Sequence, residues 1–384
     1  YSDSQNEQNY IDTLKNDLQA GAGPDLVLFL QDSYGSYEFD DLNKTAMSGA
    51  FQDLSGYFDE DTEFSFDDYN TAVMDAGVYD GQRLFVPLAY STNVLLTTEE
   101  ALSSENMTLP KTPEEFYQQM ALYGETYRED TGRTFTDYLN EFPNFLWASG
   151  ISLVDYVTKE VHADSDAFRN FMNSYKELYE MDYIRNENGQ YSWDTSAYDG
   201  SAQAVLNGKV LYNYSSFSIM FLQNGAWLRY EQTPVFTAVP TADGRTAAMV
   251  SVGAAVNKNG ANKANAYALL KILLSEKMQN YGFNVLFSQF FQNPVMNGVL
   301  EKWMLIKNTK MNGTPSEDEP GGKALSTDDV TAYVNLVTNV TCTQISTTVR
   351  KFVWDEMEPY FKGQKSYEDC LASLENKLEL YVNE

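Results

Sequence analysis

Histidine and cysteine are scarce in this chain, with one histidine and two cysteines among 384 residues. One histidine excludes any metal site that needs two. His162 lies in the polar stretch 159–164, so we expect a solvated surface residue rather than the base of a catalytic triad. Cys342 and Cys370 lack metal-ligand spacing and are interpreted as buried thiols, with a disulfide between them left open. The sequence therefore predicts no catalytic residue, cofactor or metal ion.

Basic residues and long apolar runs are also lacking. Lysine and arginine number 26 against 55 acidic residues, which gives a formal net charge of -29. Nucleic acids and acidic lipid surfaces are bound by clustered lysine and arginine, so both are disfavoured as partners. No apolar run approaches the roughly 18 residues that a membrane span needs. The polar, acidic N-terminus is not a signal peptide, and we expect a processed or trimmed chain.

A helix, a tight turn and a short apolar run open the chain. Gly21 ends a helical pattern, and Pro24 prevents its continuation. The apolar residues 26–30 then predict a strand buried on both faces of a parallel sheet. Asp25 is assigned to the turn, where its carboxylate can accept neighbouring backbone N–H groups. Because ligands bind beyond the carboxyl ends of such strands, the loop 31–37 is expected at the mouth of a site.

Three further signals fix local structure. Asp80-Gly81 lies between two short alternating runs and predicts a β-hairpin. The segment 112–115, Thr-Pro-Glu-Glu, predicts a helix start with Thr112 at the N-cap and a capping box completed by Glu115. Ser366 and Asp369 predict a second capping box at the start of the last helix.

Four segments, taken in order, form a pattern. They are the Gly-Pro-Asp turn in 20–27, the Asp-Gly-Gln hairpin in 79–88, the Asn-Gly-Lys-Val segment in 206–212 and the Val-Gly-Ala-Ala-Val segment in 252–256. Together with the helical ending at 360–369, this order resembles the extracellular solute-binding proteins of bacterial ABC transporters, in particular the sugar-binding group. The resemblance covers nearly the whole chain. Two features depart from it: the family's first βα unit has no counterpart before the Gly-Pro-Asp turn, and residues 95–98 replace a Tyr-Asn pair that the family often carries.

The resemblance implies an α/β fold of two lobes, the type II periplasmic-binding-protein-like fold, with crossover strands between the lobes and a ligand cleft. Lobe 1 is expected to comprise residues 1–93 and 250–300, and lobe 2 residues 94–249 and 301–384 with the C-terminal helices. It further implies a carbohydrate ligand, mono- or oligosaccharide, delivered to a membrane permease by a monomeric protein. We expect an extracellular lipoprotein whose anchor, if attached through a lipobox cysteine, lies upstream of Tyr1.

A cleft for a neutral sugar needs aromatic planes beside a few fixed donors and acceptors. Loops at strand ends and returning segments that carry such groups supply the candidates. The predicted ligand-binding residues are Asp32, Tyr34, Tyr90, Ser91, Trp147, Tyr214, Ser216, Phe217, Ser251 and Asn293. For an average aromatic residue core packing is the commoner role. Trp147 and Tyr214 border Ser/Gly turns instead of apolar stripes, which favours contact with a ligand.

Two other functions stay open. A glycoside hydrolase would need two facing carboxylates about 5 to 9 Å apart, yet no acidic residue is isolated in an apolar stretch at a strand end. The same fold could instead bind a polyamine, a peptide or an anion. A polyamine would use Asp32 and the tyrosines, and an anion would need an arginine such as Arg83 or Arg245.

Overall fold

A computed structural model describes residues 4–32, 35–127, 133–136, 142–180, 203–215, 232–284, 292–310, 325–343 and 346–384. The helices are α1 (Ser4–Gln19), α2 (Leu42–Thr45), α3 (Ser55–Asp59), α4 (Thr71–Met74), α5 (Glu99–Ser104), α6 (Pro113–Thr126), α7 (Phe142–Ala148), α8 (Asp166–Glu180), α9 (Gln203–Leu206), α10 (Lys263–Leu274), α11 (Glu276–Asn284), α12 (Val299–Lys310), α13 (Thr327–Thr338), α14 (Thr347–Phe361) and α15 (Tyr367–Asn383). The strands are β1 (Leu26–Asp32), β2 (Gly35–Ser36), β3 (Val78–Tyr79), β4 (Gln82–Arg83), β5 (Val86–Thr92), β6 (Val94–Thr98), β7 (Thr134–Thr136), β8 (Val210–Ser215), β9 (Pro234–Ala238), β10 (Thr246–Val256), β11 (Asn293–Pro294) and β12 (Val340–Cys342).

The first sheet is arranged around β10. Its strands follow the order β11-β5-β10-β1-β2, and β12 also pairs with β10. All eleven residues of β10 are buried. The pairs β1–β10 and β5–β10 are antiparallel, whereas β12 runs parallel to the first residues of β10. β10 is therefore the central strand against which distant parts of the chain align.

The strand β1 differs from its prediction in two ways. It was expected in a parallel sheet, but both of its neighbours, β10 and β2, run antiparallel to it. Its burial alternates, with Phe29 fully buried and Leu28 53% exposed, so it is not buried on both faces. The physical reason is that β10, which arrives from the second sheet rather than by a βαβ crossover, fixes the direction of the pairing.

The second sheet has the order β7-β8-β6-β9. The chain enters it directly from the first, because β5 ends at Thr92 and β6 begins at Val94. β6 lies between the antiparallel strands β8 and β9. After β9 the chain returns through β10 to the first sheet. A single residue, Asn93, thus joins the two sheets at the first crossing.

In the part of the chain that the structure describes, apolar side chains form three clusters. One lies around the first sheet and includes residues from α1, β1, β5, β10 and α10. The largest combines α6, α7 and α8 with α14 and α15. A third packs α12 and α13 against β6 and β8. The C-terminal helices therefore pack with the helices beside the second sheet, where Leu371, Leu374 and Leu378 of α15 are buried.

The predicted hairpin and both helix N-caps are confirmed. Asp80 and Gly81 have φ of 47° and 74°, as a two-residue hairpin of type I′ requires, and they join β3 to β4. The Oγ1 of Thr112 accepts a hydrogen bond of 3.2 Å from the backbone N–H of Glu115. Likewise, Ser366 caps α15 by accepting the N–H of Asp369 at 3.1 Å. The reciprocal half of each predicted capping box is different, because Glu115 accepts the backbone N–H of Lys111 and Asp369 accepts the hydroxyl of Ser366.

The turn at Asp25 ties the start of β1 to the end of β10. Its carboxylate accepts hydrogen bonds of 2.9 Å from the backbone N–H and from the side-chain amide of Asn262. The backbone N–H bond is the main cause that lowers the pKa of Asp25. The structural role predicted for this residue is confirmed, although its partner comes from the segment between β10 and α10.

Three expectations drawn from composition remain: they concern membrane-spanning helices, the two cysteine thiols and the exposure of the histidine. Within the described ranges, no helix is long and apolar enough to cross a membrane. Cys342 and Cys370 are free thiols, and Cys370 is buried. His162 is exposed, as predicted.

We predict that Gly253→Ala strongly destabilises the protein. Gly253 in β10 is the partner of Phe29 in β1, and a Cβ atom there would lie 2.2 Å from the Phe29 ring. Overpacking of this kind costs about 1–3 kcal/mol or more. Urea unfolding measures the loss.

Gly56→Ala is the matched control. Gly56 lies in α3, and no atom lies within 4 Å of the position that an added Cβ would take. We expect the substitution to be neutral or to stabilise by up to about 1 kcal/mol, because alanine is the better helix former. Equal unfolding free energies for the two variants would contradict the close packing of β1 on β10.

Candidate functional site

Buried polar side chains gather where the two sheets meet. Ser91, Thr92 and Asn93 follow one another at the end of β5, and each is at most 3% exposed. The Asn93 amide donates to the carbonyl oxygen of Ala148 at the end of α7, at 3.4 Å. Such groups are costly to bury in an ordinary apolar core. The junction between the sheets, where this polar layer lies, is therefore the candidate site.

Four of the predicted site residues lie together in this layer. Ser91 pairs with Met249 of β10, and Asn293 of β11 pairs with Tyr90 of β5. Asn293 donates to the Thr92 hydroxyl at 3.2 Å, and the Ser251 hydroxyl donates to the side-chain oxygen of Gln292. The structure brings Tyr90, Ser91, Ser251 and Asn293 onto adjacent strands.

Tyr90 has a structural position within this group. It is 1% exposed, and its hydroxyl donates to the carbonyl oxygen of Val337 in α13 at 2.9 Å. Burial raises the pKa of Tyr90, so the phenol stays neutral. Tyr90 thus links β5 to α13, and its hydroxyl already donates a hydrogen bond within the protein in this conformation.

Asp32 lies at the carboxyl end of β1, half-buried, opposite Gly35 of β2. Its carboxylate accepts a hydrogen bond of 2.7 Å from the Tyr37 hydroxyl. Gly35 approaches the start of α14 so closely that an added Cβ would meet the Thr347 hydroxyl at 1.8 Å. The end of β1 therefore faces α14. Tyr34 lies outside the described residues.

Trp147 lies at the end of α7, which Gly150 terminates with a φ of 67°. The indole ring is 2% exposed and packs in the largest apolar cluster. Its Nε1 is buried and meets no acceptor among the described residues. Tyr214 lies in β8 opposite Leu95 of β6, next to the first crossing. Ser216 and Phe217 lie outside the described residues.

A small cavity lies between α7 and the start of α14. It has a volume of about 50 Å³, and we call it the α14 cavity. Its lining consists of Leu146, Trp147, Ile151, Ser152, Leu153, Val154, Tyr156, Thr343, Ser346, Val349 and Arg350. Ser346 shapes its edge, because its hydroxyl caps α14 by accepting the N–H of Val349 at 3.2 Å.

Asp41 joins the segment after β2 to the C-terminal helices. Buried at 5% exposure, it accepts hydrogen bonds of 2.7 Å from the hydroxyls of Tyr156 and Tyr381. Its other oxygen caps α2 by accepting the N–H of Lys44 at 3.1 Å. Lys44 in turn donates to the Tyr381 carbonyl oxygen at 2.7 Å and lies 4.1 Å from the centre of the Tyr381 ring. We call these four residues the Asp41 cluster.

The two tyrosine hydroxyls of the Asp41 cluster are kept protonated by their surroundings. Burial, and next the charge of the Asp41 carboxylate, raise the pKa of both Tyr156 and Tyr381. Both hydroxyls therefore stay protonated and act as donors. Tyr156 also lines the α14 cavity, whereas Asp41 and Tyr381 line a larger surface cavity of about 760 Å³ beside α1. The cluster separates these two spaces.

A carboxylate also stabilises the segment between β9 and β10, where the chain crosses back from the second sheet to the first. Asp243, between β9 and β10, accepts hydrogen bonds from Thr241 at 2.7 Å, from the Arg245 backbone at 3.0 Å and from Thr341 of β12 at 2.5 Å. Burial works to raise the pKa of Asp243, but these hydrogen bonds outweigh it and hold the pKa far below its usual range. Arg245 is thus occupied by Asp243, and Arg83 is buried over the Phe66 ring. Neither arginine considered for an anion reaches the junction layer.

A metal centre has no support in the part of the chain that the structure describes, where no three His, Cys, Asp or Glu side chains converge. Burial raises the pKa of the Cys342 thiol to about 12, so it stays protonated and unreactive.

A family model described as bacterial extracellular solute-binding protein matches residues 3–280. The chain belongs to this family. Its members are extracellular proteins that bind solutes for ABC transporters rather than enzymes. No curated protein sequence matches the chain.

Solved structures with the same fold include three binding proteins. The sugar-binding protein MalE from Xanthomonas citri is 16% identical with a TM-score of 0.68, and the alignment covers 97% of this chain and 87% of that one. A putative oligosaccharide periplasmic-binding protein from Synechococcus sp. MITs9220 is 16% identical with a TM-score of 0.65, covering 97% and 88%. The substrate-binding protein Lmo0181 from Listeria monocytogenes, in complex with cycloalternan, is 14% identical with a TM-score of 0.60, covering 98% and 89%. The predicted two-lobed type II fold is confirmed.

Sequence reasoning missed the Asp41 cluster and the α14 cavity. Asp41 lies in an acidic stretch, where a carboxylate is usually solvated, and Tyr156 and Tyr381 are far from it in sequence. No local pattern signals such a contact. The capping serine Ser346, three residues before Val349, is a signal that could have placed the start of α14.

We predict that Asp41→Ala destabilises the protein by about 2–4 kcal/mol, because two buried tyrosine hydroxyls and the α2 cap lose a charged acceptor. Asp40→Ala is the control with the same charge change. The Asp40 side chain is 84% exposed and contacts only Lys15 among the ion pairs described, at 3.1 Å, so the expected cost is below about 1 kcal/mol. Urea unfolding at neutral pH compares the two, and equal costs would show that the Asp41 cluster does not hold these elements together.

Proposed function

We propose that this protein binds a carbohydrate, a mono- or oligosaccharide, between two lobes and delivers it to an ABC importer. The observation that supports it most directly is the buried polar layer at the junction of the two sheets, in a chain with the fold of MalE. The structures of similar fold were described as sugar-binding, as oligosaccharide-binding and as a complex with cycloalternan. A further one is maltose-bound MalE3 from T. maritima, with a TM-score of 0.56 and 16% identity.

The proposed lobes follow the sequence prediction, with residues 1–93 and 250–300 in lobe 1 and residues 94–249 and 301–384 in lobe 2. Sheet membership supports the first boundary, since Asn93 separates β5 from β6. The short strand β12, residues 340–342, belongs to the segment proposed for lobe 2 but pairs with β10 of the first sheet. It would therefore be an additional crossover between the lobes. Three crossings at Asn93, at 239–245 and around β12 would then act together as the hinge.

Ligand capture in this scheme is a shift between open and closed lobes. Groups from both lobes contact the sugar only in the closed form, so binding selects that form. The proposed contacts are Asp32 and Tyr34 after β1, Ser91, Ser251 and Asn293 in the junction layer, and Tyr214, Ser216 and Phe217 at the end of β8. Trp147 contributes from α7. Tyr90 supports the layer from within the core.

Polar side chains in this layer suit sugar hydroxyls, which both donate and accept hydrogen bonds. Micromolar affinity needs about 8 kcal/mol of net binding free energy, which stacked rings and several hydrogen bonds can supply in a site that sheds water. The natural protein is proposed to act as an extracellular lipoprotein and a monomer, and its closed form to be what the permease recognises.

The first test is a thermal-shift screen against neutral mono- and oligosaccharides. A true ligand at 100 times its Kd stabilises the folded state by about 2.7 kcal/mol, which raises the Tm by several degrees. Small-angle scattering with the same ligand is expected to show a smaller radius of gyration, as lobe closure requires. If no sugar raises the Tm while spermidine or a peptide does, the carbohydrate assignment is wrong.

Asp32→Ala tests the position of the site. We expect it to weaken sugar binding about tenfold, the effect of one lost charged hydrogen bond. Asp59→Ala, an exposed residue at the end of α3, removes the same charge and serves as the control, with unchanged affinity expected. Release of shortened products from an oligosaccharide would instead establish a glycoside hydrolase.

A further inference from the structure

The Asp41 cluster joins the two proposed lobes. Asp41 and Lys44 belong to lobe 1, whereas Tyr156 and Tyr381 belong to lobe 2. Both tyrosine hydroxyls donate to the same oxygen of Asp41, each at 2.7 Å. The ammonium group of Lys44 donates to the carbonyl oxygen of Tyr381 at 2.7 Å and lies 4.1 Å from the centre of its ring. All of these contacts cross from one lobe to the other.

The cluster lies between two separate apolar cores. Phe39 and Leu42, on either side of Asp41 in the chain, are buried in the cluster around the first sheet. Tyr156 and Tyr381 pack against the largest apolar cluster, beside the second sheet. Polar groups regain water when a contact between them separates, so hydrogen bonds at this place can break without disrupting either core.

The four residues lie outside the crossings between the lobes. The proposed crossings are at Asn93, at 239–245 and around β12, and these segments stay connected however the lobes rotate. A hydrogen bond of 2.7 Å between a hydroxyl and a carboxylate is lost when its atoms move apart by about 1 Å. A rotation that separates the lobes therefore breaks both bonds to Asp41, and the cluster forms only when the lobes are together.

The lobes are close together in this structure. Asp41 is 5% exposed, as a carboxylate covered by residues of the opposite lobe should be. At the end of β1, Gly35 of lobe 1 lies so near Thr347 of lobe 2 that an added Cβ atom would meet the threonine hydroxyl at 1.8 Å. Both observations describe a closed arrangement, and the Asp41 cluster is part of it.

We propose that the Asp41 cluster is a latch that holds part of the ligand-free protein in the closed form, so that Asp41, Tyr156 and Tyr381 influence ligand affinity through closure alone. This inference rests on the two lobes of the proposed function, but not on the chemical nature of their ligand. A ligand that binds the closed form binds more weakly when that form is rare. The latch raises the closed population and so strengthens binding, and it slows ligand release because the cluster must break before the lobes part.

The test measures the distance between the lobes without any ligand. Spin labels on Asp59→Cys in lobe 1 and Glu160→Cys in lobe 2 occupy exposed positions, and pulsed electron paramagnetic resonance gives the distribution of distances between them. The otherwise unchanged protein is expected to show a closed population beside an open one. Adding Tyr156→Phe and Tyr381→Phe removes both hydroxyls but keeps both rings and the Asp41 cap of α2. The ratio of closed to open protein is expected to fall at least about tenfold, and the radius of gyration in small-angle scattering to rise.

The matched control is a second double variant, Tyr127→Phe with Tyr267→Phe. The Tyr127 hydroxyl donates to Glu105 at 2.7 Å within lobe 2. The Tyr267 hydroxyl donates to Asp61 at 3.0 Å within lobe 1. This variant loses the same atoms and the same kind of bond, but no contact between the lobes, so an unchanged distance distribution is expected. Circular dichroism and the Tm verify folding, and Tyr381→Phe alone, with an intermediate ratio expected, carries the test if the latch double variant is unfolded.

The outcomes separate the latch from the proposed function. Equal distance distributions for the unchanged protein and the latch variant overturn the latch and leave carbohydrate binding intact. An equal shift in the control variant also overturns it, because the loss of tyrosine hydrogen bonds in general would then be the cause. If the latch variant alone shifts, the latch is established even where no sugar binds, since the measurement uses no ligand.

Discussion

The structure depends on the pairing of β10 with strands from opposite ends of the sequence. β1, β5 and β12 all take their register from this one buried strand, and each lies far from it along the chain. The contact of Phe29 with Gly253 shows how closely the backbones approach, because the ring occupies the space of a missing side chain. Without β10 the first sheet would be reduced to short, separate pairs. The polar layer at the junction is consequently positioned by the apolar packing around β10.

Carboxylates stabilise the segments on either side of β10 and the C-terminal helices. Asp25 holds the segment after β10, Asp243 holds the segment before it, and Asp41 holds the C-terminal helices. All three accept several hydrogen bonds, and none depends on a buried lysine or arginine partner alone. An acidic composition is therefore compatible with a well-ordered structure, since part of the negative charge is used as hydrogen-bond acceptors.

Local structure was predictable wherever a short pattern carries its own physical cause. The Asp80-Gly81 hairpin and the caps at Thr112 and Ser366 follow from backbone conformation and nearby donors. The direction of β1 was not, because five apolar residues in a row are compatible with parallel and antiparallel neighbours alike. Its burial also depends on which elements cover it, and these are fixed by distant segments.

For the candidate site, the sequence could suggest residues but not their roles. Resemblance to solute-binding proteins directed attention to strand ends and returning segments, and Ser91, Ser251 and Asn293 lie on adjacent strands. It could not distinguish Tyr90, whose hydroxyl is used by α13, from a residue that contacts ligand. The Asp41 cluster could not be predicted from the sequence for a different reason, because Tyr156 and Tyr381 become neighbours of Asp41 only after folding.

The antiparallel pairing of Leu26 with Val256 also constrains the order of folding. β1 emerges early during synthesis, but its partner emerges only after the whole of β5 to β9 has been made. Closing a loop of this length is slow, and until then β1 and its apolar face have no partner. The pairing of β1 therefore has to wait until residues 246–256 have been made. Late pairing of this kind leaves β1 exposed in the nascent chain for longer than a hairpin partner would.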